Sequence, residues 1–314
     1  MKKTKSKLKK EMKKAAQKGQ FGKLIIFALL LLALYIYNAN TQDPSATVYE
    51  NGTLDAAKTM AVHFIDVGQA DAAYIVLPDG ASMLIDAGEN ASEDALAAYF
   101  DRYDINTLDY AVFTHPHEDH IGGADVVFDL CTVKNVILPD AEATSSTYEK
   151  MLSCIADSGA KVMLAEVGDT YTLGAASFEI LGPVSPSSDD LNNASILLRL
   201  TYGDTSFLFT GDAEAKAEAA ALSAVGTTKL NADVLKVGHH GSNTSSSDAF
   251  LEAVTPSVAV ISCGENNDYG HPHDAILQRL ALYTQHIFRT DLLGSVRVFS
   301  DGTALLVQSD RSGE

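Results

Sequence analysis

The stretch THPHEDHIGG, residues 114–123, constrains this chain more than any other. Within six residues it gathers His115, His117, Glu118, Asp119 and His120, directly after the apolar run Tyr110–Phe113 and directly before Ile121-Gly122-Gly123. A short apolar run that ends in a polar loop reads as a buried strand whose C-terminal end opens into a site. Packing gives no reason to collect three imidazoles and two carboxylates there, because each is costly to bury. Imidazole nitrogen and carboxylate oxygen suit a divalent borderline ion such as zinc, so the stretch reads as a metal loop.

Two other loops that follow strands carry histidines, Gly238-His239-His240-Gly241 and Tyr269-Gly270-His271-Pro272-His273. Seven of the nine histidines therefore fall in three loops, which points to one shared site; His63 and His286 lie elsewhere and read as structural. Strands are expected at 60–67, 72–77, 82–85, 109–113, 133–138, 161–164, 170–173, 177–181, 195–201, 205–209, 233–237, 257–263, 295–300 and 304–307. Helices are expected at 92–102, with Ser92 as N-cap, and at 124–130, 146–158, 213–225 and 274–283. This alternation specifies an α/β protein and permits either an ordinary doubly wound sheet or two sheets faced by helices.

HxHxDH before a glycine pair resembles the signature of the metallo-β-lactamase fold hydrolases. IDVGQADA (65–72), LIDAG (84–88), NNASILLRL (192–200), FTGDAE (209–214), LKVGHHGSNTSSS (235–247) and YGHPH (269–273) follow in an order similar to the soluble C-terminal domain of the ComEC family of competence proteins. The similarity covers roughly residues 60–308 and selects the four-layer αββα sandwich. One departure is Ala70, where the family usually has the second glycine of Gly-Gln-Gly-Asp.

The resemblance implies two divalent ions, zinc or manganese. His115 and His117 would hold one, Asp119, His120 and His240 the other, and Asp212 would bridge them. Asp86 would brace the metal loop. His239 would meet the substrate phosphoryl group or the nucleophile, and His271 or His273 would donate a proton or hold a phosphate oxygen; Asp119 serves as ligand and catalytic group. Paired ions activate a hydroxide and stabilise both attacking and leaving oxygens, which makes phosphodiester hydrolysis the expected chemistry. No third histidine stands between the metal loop and Asp212; residues 121–211 contain none, and Asn192–Ser195 occupies that interval.

Charge divides the chain. Residues 1–23 hold ten lysines and one acid, Glu11, which leaves the rest at −27 within a total of −18. Residues 24–37, LIIFALLLLALYIY, are uncharged and read as a short transmembrane signal anchor, with a cleaved signal peptide as the rival. The basic leader would stay cytoplasmic, residues 38–59 would tether a hydrolase domain (60–308) outside the membrane, and 309–314 would form a tail. Cleavage would instead release a secreted protein. The three cysteines, without CxxC spacing, read as buried free thiols. A DNA substrate conflicts with the acidic body unless Lys236, Arg279, Arg289 and Arg297 form a local basic patch; a small phosphodiester such as a phosphocholine ester avoids the conflict. A non-catalytic metal-binding scaffold is the reading from another class.

Overall fold

Short apolar segments build two sheets that share one core. The computed structural model describes residues 47–49 and 53–311. The strands are β1 (Thr47–Tyr49), β2 (Met60–Phe64), β3 (Ala73–Val76), β4 (Ser82–Ile85), β5 (Thr107–Val112), β6 (Thr132–Leu138), β7 (Lys161–Leu164), β8 (Thr170–Leu173), β9 (Ala176–Gly182), β10 (Leu197–Tyr202), β11 (Thr205–Phe209), β12 (Val234–Lys236), β13 (Val258–Ile261), β14 (His286–Arg289), β15 (Val296–Ser300) and β16 (Ala304–Ser309). One sheet runs β1-β16-β15-β2-β3-β4-β5-β6-β7 and the other β14-β13-β12-β11-β10-β9-β8. The helices are α1 (Glu93–Arg102), α2 (Glu118–Ile121), α3 (Ala124–Leu130), α4 (Ser146–Ser158), α5 (Ala215–Val225), α6 (Thr227–Leu230), α7 (Asp248–Val254), α8 (Asp274–Leu280) and α9 (Thr290–Leu293).

Period-two patterning assigns the layers. In β13, Val258 and Val260 enter the core between the sheets, whereas Ala259 and Ile261 join the outer cluster under α7 and α8. In β4, Met83 and Ile85 face the other sheet, and Leu84 packs outward with Leu96 and Phe100 of α1. Helices thus cover both outer faces, and the expected αββα sandwich is the observed architecture. Parallel pairing of β4 through β7, and of β11 through β14, carries the C-terminal ends of β4 and β5, and separately of β11, β12 and β13, to a common edge in each sheet. Open sheets of this kind place ligands beyond those carboxyl ends.

Several elements depart from their sequence reading. Thr47–Tyr49, within the expected tether, pairs in parallel with β16 and covers its edge; three residues are too few to show a strand period. In β14 every residue is half-buried, so no alternation marked it. Ser92 does sit at the N-cap of α1, but its hydroxyl donates to the Glu89 carbonyl at 2.8 Å rather than serving the helix. Ala70 needs no left-handed backbone, which Gly68 adopts instead (φ 79°), so the family departure is tolerated. Cys131 and Cys263 are buried free thiols as expected, and Cys154 is half-buried. The anchor and leader, residues 1–37, lie outside the described residues. Among the described residues, no helix is long and apolar enough to cross a membrane.

His63 is structural, as expected. Its Nδ1 lies 2.8 Å from the Tyr99 hydroxyl, and the rings of Tyr74, Tyr99 and Tyr103 meet it edge-on. Burial, and then the charge of Arg297, push its pKa down to about 4. An unfolded histidine titrates near 6.5, so this side chain contributes its full stability above that pH. Between roughly 6.5 and 4 the unfolded chain binds more protons, and stability falls by up to about 3 kcal/mol. Urea unfolding across this range should therefore move in favour of His63→Phe relative to the parent as pH falls; a pH-independent difference would reject the assignment.

Candidate metal centre

The metal loop is held from behind by Asp86, immediately after β4. Asp86 Oδ1 accepts the Thr114 backbone N–H at 2.7 Å, and Oδ2 accepts the Thr114 hydroxyl at 2.8 Å. The same Oδ2 stands 2.8 Å from His120 Nδ1, which turns His120 Nε2 toward the centre of the site. Asp86 is therefore the brace that the family resemblance implies. Burial raises its pKa, an effect opposed by the charge of His120. The glycine pair allows close approach: a Cβ on Gly122 would fall 2.3 Å from the Asn90 backbone nitrogen.

Asp212, in the turn after β11, stands between two groups of side chains. Asp119, His120, Asp212 and His240 each offer a ligand atom, all within 4.8 Å of one another, and so do His115, His117 and Asp212. Oδ1 of Asp212 lies 3.2 Å from His120 Nε2 and 3.6 Å from His240 Nε2, whereas Oδ2 lies 3.9 Å from His115 Nε2. His115 Nε2 and His117 Nδ1 are 2.9 Å apart. His240 Nε2 is 3.2 Å from Asp119 Oδ2, and its Nδ1 is anchored 3.0 Å from the Ser262 carbonyl. All six residues read from sequence as ligands thus come together in the expected partition.

The donor set fits divalent cations. His120 Nε2 and Asp212 Oδ1 are buried and make no hydrogen bond of acceptable geometry, although they face one another. Buried polar atoms normally find partners, and a cation would satisfy both. Burial is the largest single influence on the Asp212 carboxyl and would raise its pKa, but His120, His240 and His115 outweigh it and hold the group well below the usual range. Burial opposes protonation of His120 and His240 too; in both, neighbouring carboxylates win and the imidazole is pushed up. Burial pushes His115 and His117 the other way, down, and a cation at any of these nitrogens would compete with a proton.

His239 and His240 both adopt left-handed backbone, φ 50° and 52°. The histidines carry the turn together with Gly241 (φ 81°), at a strain of about 1–3 kcal/mol for each histidine. His239 is the more exposed: its Nδ1 lies 3.1 Å from the Thr244 hydroxyl and 3.3 Å from Glu214, and its Nε2 is 3.7 Å from Asp212 Oδ2. The His271 ring approaches those of His239 and His240, with centroids 5.6 and 6.3 Å away. His273 begins α8, and its Nδ1 accepts the Asn243 backbone N–H at 3.1 Å. His271 is therefore the member of its loop seen beside the cluster.

Sequence reasoning found Asp86 but missed the ion pair behind His240. Asp71 Oδ2 forms a buried ion pair with Lys236 Nζ at 2.7 Å, and Asp71 Oδ1 lies 3.3 Å from His240 Nδ1. Lys236 is thus not part of a basic surface patch, and a lysine inside the apolar segment Val234–Val237 was the signal that it must be paired. The rest of that patch is also spent: Arg279 pairs with Asp248, Arg289 with Asp291 and Arg297 with Asp310.

A sandwich of two helix-faced sheets with imidazoles and carboxylates converging at the strand ends defines the class. A family model described as the metallo-beta-lactamase superfamily matches residues 65–265, and the chain belongs to that superfamily, whose members are generally hydrolases. It is 32% identical over 253 residues to ComE operon protein 3 of Bacillus subtilis (strain 168), covering 75% of this chain and 32% of that protein. It is 31% identical over 241 residues to competence protein ComA of Neisseria gonorrhoeae, covering 76% of this chain and 32% of that protein. These matches bear out the ComEC-type resemblance, and the chain spans about a third of the length of these relatives. Among solved structures, CmlA, a diiron beta-hydroxylase from Streptomyces venezuelae, matches with a TM-score of 0.50 at 15% identity over 77% of this chain and 54% of that one, a likeness of fold alone.

Removing one member of a buried ion pair strands the other charge. Lys236→Met should destabilise the protein by about 3–5 kcal/mol in urea unfolding. Adding Asp71→Asn should recover most of that loss, and two equal, additive losses would show that the pair is not coupled.

Proposed function

We propose that the chain hydrolyses phosphodiester bonds at a centre where His115, His117 and Asp212 hold one divalent cation and Asp119, His120, His240 and Asp212 a second. The observation that carries this reading is Asp212, whose two carboxylate oxygens face the two ligand groups separately. When bound, a pair of zinc or manganese ions supplies Lewis acidity and lowers the pKa of water. The protein's own groups do the rest. Asp119 stays ionised because His120 and His240 outweigh its burial, so it can orient a nucleophilic water as well as a cation. His239 Nε2 and the His271 ring stand on the more open side, suited to holding a phosphoryl oxygen; burial and the neighbouring imidazoles push His271 down to about 4, which leaves protonation of the departing oxygen to His239. His273 supports this loop through Asn243.

The substrate reading has two arms. The competence-protein relatives favour DNA. The acidic body, with the four best basic candidates already paired, favours a small diester such as a phosphocholine ester. The lysine-rich leader and apolar segment support a membrane-tethered domain on the outer side.

Turnover of bis-p-nitrophenyl phosphate should disappear on chelation and return with zinc or manganese. Asp212→Ala should lower it by on the order of 10²-fold or more while the circular dichroism spectrum persists. Chelator-insensitive turnover would reject the centre, and metal binding without turnover would favour a scaffold. DNA cleavage that weakens steeply with salt would favour the nucleic-acid arm; salt-tolerant cleavage of small diesters favours the other.

A further inference from the structure

The first ligand group contains only His115, His117 and Asp212, and Ser195 stands where its two buried members meet. Ser195 is fully buried just before β10. Its hydroxyl oxygen accepts the Asp212 backbone N–H at 3.0 Å and lies 3.2 Å from His115 Nδ1. One side chain therefore ties the expected bridging carboxylate to the expected ligand from the metal loop, across 80 residues of sequence.

An imidazole that offers Nε2 to a cation carries its proton on Nδ1, and that proton needs an acceptor. Two hydroxyl oxygens stand near His115 Nδ1. Thr114 Oγ1, at 3.3 Å, also faces His120 Nδ1 at 3.4 Å and gives its own proton to Asp86. Ser195 Oγ is the closer of the two and has His115 as its only imidazole neighbour among the described residues.

We propose that Ser195 is the positioning residue of the first cation site: it accepts the Nδ1 proton of His115, so that Nε2 is left free beside His117 Nδ1, and it holds the Asp212 turn in register with that nitrogen. A hydroxyl behind the ligand thereby supports a site that has no third histidine. The proposal rests on the two-cation reading.

Binding, rather than turnover, tests it. The full-length chain, stripped of metal, is titrated with zinc against a chromogenic chelator, which resolves the affinities of two ions. The parent should bind two. Ser195→Ala should weaken one ion by about 10–100-fold and the other, which shares only Asp212 with it, much less. Ser195→Cys, which keeps the shape with a poorer acceptor, should give an intermediate loss at the same site. Equal affinities in all three proteins would overturn the proposal, as would parallel weakening of both ions or a fall in thermal stability with no change in either affinity. A parent that binds no zinc would overturn the two-cation reading itself.

Discussion

The interaction on which this structure depends is the compensation of buried carboxylates by positive charge that arrives from other strands. Asp71, Asp86 and Asp212 are all buried, and Asp119 leans over the same space. Leaving several such charges uncompensated would cost more than a domain's net stability. Lys236 supplies one permanent cation, to Asp71. Everything else falls to imidazoles, and through them to whatever cations the site holds. The odd backbone of the site follows from that demand. Asp86, His239 and His240 take left-handed conformations, and Gly122 lets two backbones nearly touch, because ligands from separate strand ends must be brought within a few ångströms.

This arrangement explains how much could be read before the structure. Strands buried on both faces, between the sheet-to-sheet core and a helix layer, such as β4 and β13, declare themselves in the sequence as short apolar runs. The ligands declare themselves too, since clustered histidines have no packing rationale. Groups that act through the ligands leave a fainter trace. Ser195 has the side chain of any buried strand-edge serine, and only the fold brings it to His115. Lys236 was conspicuous as a lysine in an apolar run, but a linear pattern does not say which acid lies behind it. Strand β14 escaped because its half-buried residues show no period, and β1 because three residues cannot show one.

Fold and chemistry separate at this point. The sandwich shared with CmlA is a likeness of fold, and a fold by itself does not fix chemistry. What distinguishes this centre is its donor set and the path by which a substrate would reach it. Glu89 is held above the usual carboxylate range by partial burial and then by the nearby charges of Glu118 and Asp119, so acids gather on the metal-loop side. The histidines of the other loops, His239 and His271, are backed by Thr244, Glu214 and Gln69 rather than by free lysines or arginines.

An anionic ester approaching such a site gains little from basic residues that are already paired. Lys236 is sealed inside, and Arg279, Arg289 and Arg297 already face carboxylates. Under the proposed function the attraction would originate at the centre itself, where cations held by imidazole and carboxylate would present unneutralised charge at short range. Such a field acts on one phosphate group at a time, whereas binding a long polyanion through counterion release requires many basic side chains. For a nucleic acid the reacting phosphate would have to supply most of the grip, and its neighbours along the strand would add repulsion from the acidic body. A substrate with a single phosphodiester encounters the same attraction without that penalty.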